Sequence, residues 1–106
     1  MAWTITAAAP AQPIPNYGTP AVKSVTSTSG SLIPAGTGNH RIASLSVDVS
    51  SSLVYVSIGS AVNVATGNYN FILNGGYNDS MFELSNQEYF AATQAGTAEV
   101  IVAIAE

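Results

Sequence analysis

Residues 41–59, RIASLSVDVSSSLVYVSIG, constrain this chain more than any other stretch. Leu45, Val47 and Val49 fall on one parity, with Ser44, Ser46 and Asp48 on the other. After Ser50-Ser51-Ser52 comes Leu53-Val54-Tyr55-Val56-Ser57-Ile58, rich in β-branched and aromatic side chains. Such alternation marks half-buried strands, because successive side chains of a strand point to opposite faces. A helix over the same residues would place Ser46 on the stripe of Val49 and leave no apolar face. Two strands joined by a short Ser-rich turn predict a β-hairpin. The hairpin defines a fold class and carries no chemistry.

The chain on either side belongs to the same class. Ala21 to Thr28 is a strand-like run, Ser29-Gly30-Ser31 a turn, and residues 32–39 a loop into the hairpin. Residues 60–68 are ambiguous and end in the turn residues Thr66-Gly67-Asn68. Tyr69 to Leu73 is a strand, and the Asn74-Gly75 that follows is a hairpin signal, since both residues tolerate positive φ. Met81 to Leu84 and Tyr89 to Thr93 are further short strands. Ala98 to Ala105 is apolar on both parities after Glu99, as expected of a strand covered on both faces. About seven short strands divided by turn residues predict an all-β chain, a compact antiparallel β-sandwich of jelly-roll type.

The composition changes near residue 39: all 5 prolines lie before it and all 6 acidic residues after it. Prolines lack an N–H and favour extended neighbours, so residues 7–20 read as an extended arm. At about 3.1 Å per residue such an arm would reach on the order of 40 Å. Trp3, Ile5, Ile14 and Tyr17 are its candidate partner-binding anchors, because a solvated linker seldom carries such side chains. The expected division is therefore a Pro-rich arm and lead-in loop over 1–38 and a sandwich over 39–106.

Only 8% of the residues are charged, against roughly 25% in an ordinary globular domain. Weak charge leaves strand edges poorly protected against pairing with other chains. A domain of 106 residues without cysteine also lacks covalent staples. Both considerations favour a homo-oligomer. With a net charge of −4 and only Lys23 and Arg41 basic, a nucleic-acid partner is disfavoured. The longest apolar run, Val100 to Ala105, is too short to span a bilayer. The first residues show no basic region ahead of an apolar core, so no export signal is expected.

The residues offer little for catalysis, and no enzyme, cofactor or metal is expected. His40 is the only histidine and has no second imidazole or thiolate to complete a site. Asp79 and Glu83 share a parity, a weak hint of the carboxylate pair that glycoside hydrolysis needs. Asn78 and Asp79 suggest calcium without the spacing of a calcium loop. Tyr69 and Tyr77 are a second candidate, as stacking platforms of a ligand face, while Phe71, Phe82 and Phe90 read as core.

Residues 31–106 resemble small all-β virion proteins of tailed bacteriophages. The resemblance lies in Ile33-Pro34-Ala35 leading to Arg41, the LVYVSIG strand over 53–59, the Gly-punctuated aromatic middle over 67–76, and the AGTAEVIV ending that starts at Ala95. Asn74-Gly75-Gly76 stands where a Pro-Gly turn is more usual. The resemblance implies a capsid decoration or cement protein, or a head-fibre type component, found on the capsid surface after synthesis in the host cytoplasm. The implied partner is the major capsid protein or another virion protein, reached through the arm and strand edges by a homo-oligomer, with a trimer favoured. The rival expectation is a tail or fibre module that binds a host-surface glycan or receptor through Tyr69 and Tyr77.

Overall fold

A computed structural model describes residues 16–37 and 40–105. Eight strands follow in chain order: β1 (Ala21–Val25), β2 (Gly30–Ile33), β3 (Arg41–Val47), β4 (Val54–Ile58), β5 (Phe71–Leu73), β6 (Asn78–Leu84), β7 (Tyr89–Ala92) and β8 (Ala98–Ala105). They form two four-stranded antiparallel sheets, ordered β1-β8-β3-β6 and β2-β7-β4-β5. The inward parities of both sheets meet in one core, with Ala43, Leu45, Val47, Val100 and Val102 from the first and Ile33, Val54, Val56 and Ala91 from the second. The all-β sandwich expected from the alternation is therefore present.

The hairpin is not. β3 pairs with β8 and β6, whereas β4 pairs with β7 and β5, so the two alternating strands lie in opposite sheets. Residues 48–53 form a connection that crosses the sandwich. Asp48 shapes its start, because the Ser50 N–H and hydroxyl both donate to Asp48 Oδ1 at 2.9 Å. Val49, which alternation would send into the core, is 82% exposed on this turn. Period two fixes which side of a strand is apolar and is silent about which strand lies beside it.

Asn74-Gly75 likewise joins strands of different sheets, β5 and β6. The Tyr77 N–H donates to the Asn74 carbonyl at 3.1 Å, and Gly76 has φ +84, a turn that needs glycine at its third position. This turn is fastened to β3, since the Gly76 N–H donates to Val47 O at 2.9 Å and the Val47 N–H to Tyr77 O at 2.8 Å. A Cβ on Gly75 would lie 2.9 Å from Val49 O and 3.1 Å from Asp48 O, so only glycine lets the two crossovers stack.

Three further expectations change. The sandwich begins at Ala21 instead of residue 39, because β1 pairs with β8 and Leu32 and Ile33 of β2 are buried. Residues 32–33, expected as loop, are thus strand; the 4 residues of β2 are too few to show a period. β8 is central, yet Glu99 and Ile101 on its outward parity are exposed, while Ala103 and Ala105 there are buried. Residues 60–68 form a loop with a single Asn63–Asn68 bridge.

Leu45→Ala should cost about 2–5 kcal/mol in urea unfolding, as for other truncated core leucines. Val49→Ala, two turns of the alternation away, should change stability by less than about 0.5 kcal/mol. A similar cost for both would return Val49 to the core and restore the hairpin.

Candidate functional site

Arg41 opens β3 on the parity of Ala43 and Leu45, so its side chain runs between the sheets, where it is 2% exposed. Nη1 donates to Ser85 O at 2.9 Å and Nη2 to Pro34 O at 2.8 Å. Pro34 follows β2 in one sheet, and Ser85 follows β6 in the other. The fork of the guanidinium therefore ties the two sheets at this end of the sandwich. Gly36 packs directly on the Arg41 side chain, where any Cβ would collide with it, and its N–H donates to Asn86 O at 3.0 Å. The Ser85 N–H donates to the hydroxyl of buried Tyr89 at 2.9 Å, completing the closure. His40, beside Arg41, is exposed.

At the other end of β3, Tyr77 packs against the core and its hydroxyl donates to Asp79 Oδ2 at 3.1 Å. Asp79 Oδ1 accepts the Met81 N–H at 2.8 Å. Burial, then the hydrogen bond to Asp79 and its negative charge, push the Tyr77 phenol above the ordinary tyrosine range. Asp48 is shifted the other way: the Ser50 N–H, then the Ser50 hydroxyl, hold its carboxyl below the usual range. Asp79 and Glu83 do not form a pair. A register shift of β6 against β3 puts Asp79 opposite inward-facing Leu45 and Glu83 opposite outward-facing Ile42. The extra residue on β6 reverses the parity that sequence spacing assigns to them. No group of metal-ligating side chains is assembled among the described residues.

Tyr69 and Tyr77 do not share a surface. Tyr69 meets Tyr55 edge-on, with ring centroids 4.9 Å apart, in a second small cluster on the outside of the sheet that contains β4. Val62 from the 59–70 connection, Ala92 and Phe90 complete that cluster. Phe71 and Phe82 pack on the main core as expected, whereas Phe90 belongs to the second cluster. Sequence reasoning missed this cluster because its strand residues, Tyr55 and Phe90, lie on the parity that alternation gives to solvent.

Of the arm anchors, Trp3, Ile5 and Ile14 lie outside the described residues. Tyr17 is half-buried, with its hydroxyl 3.8 Å from Met81 Sδ on β6, and the Gly18 N–H donates to Ile104 O at 3.0 Å. Tyr17 and Gly18 are thus held on the sheet that contains β8. The four outer strands are each blunted. On β1, Lys23 points inward beside Leu32 of the other sheet; on β6, the register shift and inward Asp79 interrupt the edge. β5 has three residues, and β2 has four with a register shift. Inward charges, bulges and short strands all discourage strand addition.

Compared with known proteins, the chain matches no protein-family model, no curated protein sequence and no solved structure.

Asp79→Asn should lower the pH at which Tyr77 ionises, followed by phenolate absorbance. The titration should stay above the ordinary tyrosine range, since burial is the larger cause. Because the folded-state pKa of Tyr77 is raised, its contribution to stability is present below the ordinary tyrosine pKa and lost as pH rises through the folded value. The Asp48 contribution has the opposite sense and is lost in acid as pH falls through its lowered value. Arg41→Ala should destabilise the fold by about 3 kcal/mol in urea unfolding, as for the loss of buried bonds to a charged group.

Proposed function

We propose that this protein is a structural virion component, a capsid decoration or cement protein that bridges neighbouring capsid subunits and acts by binding instead of catalysis. We read the sandwich as a jelly roll. The observation that carries this reading is the strand order, β1-β8-β3-β6 over β2-β7-β4-β5, with β4 and β5 the only described strands adjacent both in the chain and in a sheet. That order supports the reading of two Greek keys rolled together, an architecture used repeatedly in viral capsid and lectin domains. The resemblance of residues 31–106 to small phage virion proteins points the same way.

The arm is the proposed attachment device. Residues 1–22 contain no charged side chain and carry Trp3, Ile5, Ile14 and Tyr17. Apolar anchors on an extended segment can lie in a groove of the major capsid protein or another virion protein. The strand edges contribute less than the sequence suggests, because all four are blunted. A glycan-binding tail module is the weaker reading, since Tyr69 and Tyr77 belong to different clusters. The homo-oligomer, with a trimer favoured, the capsid-surface location and synthesis in the host cytoplasm belong to the same proposal.

Deleting residues 1–15 leaves the Tyr17 and Gly18 contacts in place, so the melting temperature should be unchanged. The truncated protein should lose binding to virus particles in co-sedimentation, and particles carrying it should lose heat resistance. Retained binding would remove the arm from the proposal, and density on the tail of imaged particles would remove the capsid.

A further inference from the structure

Charge is divided unequally between the two sheets. Every strand of the β1-β8-β3-β6 sheet contains a charged residue: Lys23, Glu99, Arg41, and Asp79 with Glu83. The strands of the β2-β7-β4-β5 sheet contain none, and neither does the 59–70 connection that packs on its outside. That connection covers Tyr55 and Ala92 only in part of the face. Beyond it, Leu53 and Ile72 remain 44% and 41% exposed, and Ile72 is in register with Tyr55. Beside them is an open cavity of about 290 Å³ lined by Ser52, Leu53, Tyr55, Gln94 and Ala95. The result is an apolar centre with an uncharged polar rim, the composition found at the middle of protein interfaces.

We infer that the Leu53–Ile72 end of this face, at the opposite end of β4 from Glu88, is turned toward a symmetry axis and packs on the same region of further copies of this chain. The argument is electrostatic. Side chains on or beside a symmetry axis meet their own copies, so a charge placed there repels itself. This chain carries a net charge of −4. The outside of the other sheet also exposes apolar side chains, Val22, Ile101 and Met81, but Glu99 and Glu83 lie among them. Copies meeting there would bring carboxylates together. A charged partner would find nothing to complement on the Leu53–Ile72 face, whereas a second copy presents a surface of the same kind. The inference rests on the homo-oligomer in the reading above and is independent of the capsid.

The test uses the purified full chain alone, with mass measured by sedimentation equilibrium. The wild type should sediment as a closed oligomer. Leu53→Glu combined with Ile72→Glu should reduce the mass to that of one chain, with circular dichroism and melting behaviour of a folded sandwich, as both positions are exposed. Val22→Glu, on the opposite sheet, should leave the oligomer intact. A monomeric wild type, an unchanged mass in the double variant, or dissociation by Val22→Glu would each overturn the inference. So would a monomer that binds oligosaccharides on a glycan array and loses them with Ile72→Glu, which would make the occupant a sugar. Particle binding by a monomeric wild type would leave the virion proposal standing while removing this one.

Discussion

A guanidinium buried between two sheets is the interaction on which the rest of this sandwich depends. A guanidinium moved into an interior needs hydrogen-bond partners to offset lost hydration. The carbonyls of Pro34 and Ser85 supply them from opposite sheets. Where these sheets meet at this end, the contact is polar and directional, unlike the Leu and Val packing of the core. Apolar packing tolerates sliding; a forked donor between two fixed carbonyls does not. Arg41 therefore sets the relative position of the sheets, and Gly36 is small because the arginine occupies the space a side chain would need.

Sequence reading recovered the fold class because alternation reports burial directly, one residue at a time. Val54 and Val56 on one parity, and Leu45 and Val47 on another strand, are all in the core. It failed where a statement needed knowledge of a neighbour. Serines between two strands look alike whether the chain turns back within a sheet or crosses to the next. The reversal of Asp79 relative to Glu83 comes from an inserted residue that only the pairing with β3 reveals. The parity that Arg41 shares with Ala43 is the sign in the sequence that it points inward, against the usual preference of arginine for water.

The candidate surfaces follow from the same division. Inward-facing charges on β1 and β6 protect the edges of one sheet, and brevity protects the edges of the other. With the edges protected, the association proposed above would rest on the N-terminal residues and on broad faces. Four strands without charge are a consequence of few charges in the whole chain, with those that fall in strands confined to one sheet. Tyr55, buried under its own connection, shows how such a face is partly closed within the molecule itself.

The crossing connections also govern the order in which the molecule can be assembled in time. With β4 and β5 the single pair adjacent in both chain and sheet among the described strands, little of their native pairing is available to a short stretch of nascent chain. β8, the last strand, lies between β1 and β3. Until it emerges from the ribosome, the first sheet lacks its middle, and β1 has no partner strand. Non-local pairing of this kind slows folding and prolongs exposure of apolar strands. The blunted edges described above thus have a second value during synthesis, when unpaired strands of many nascent chains are present together.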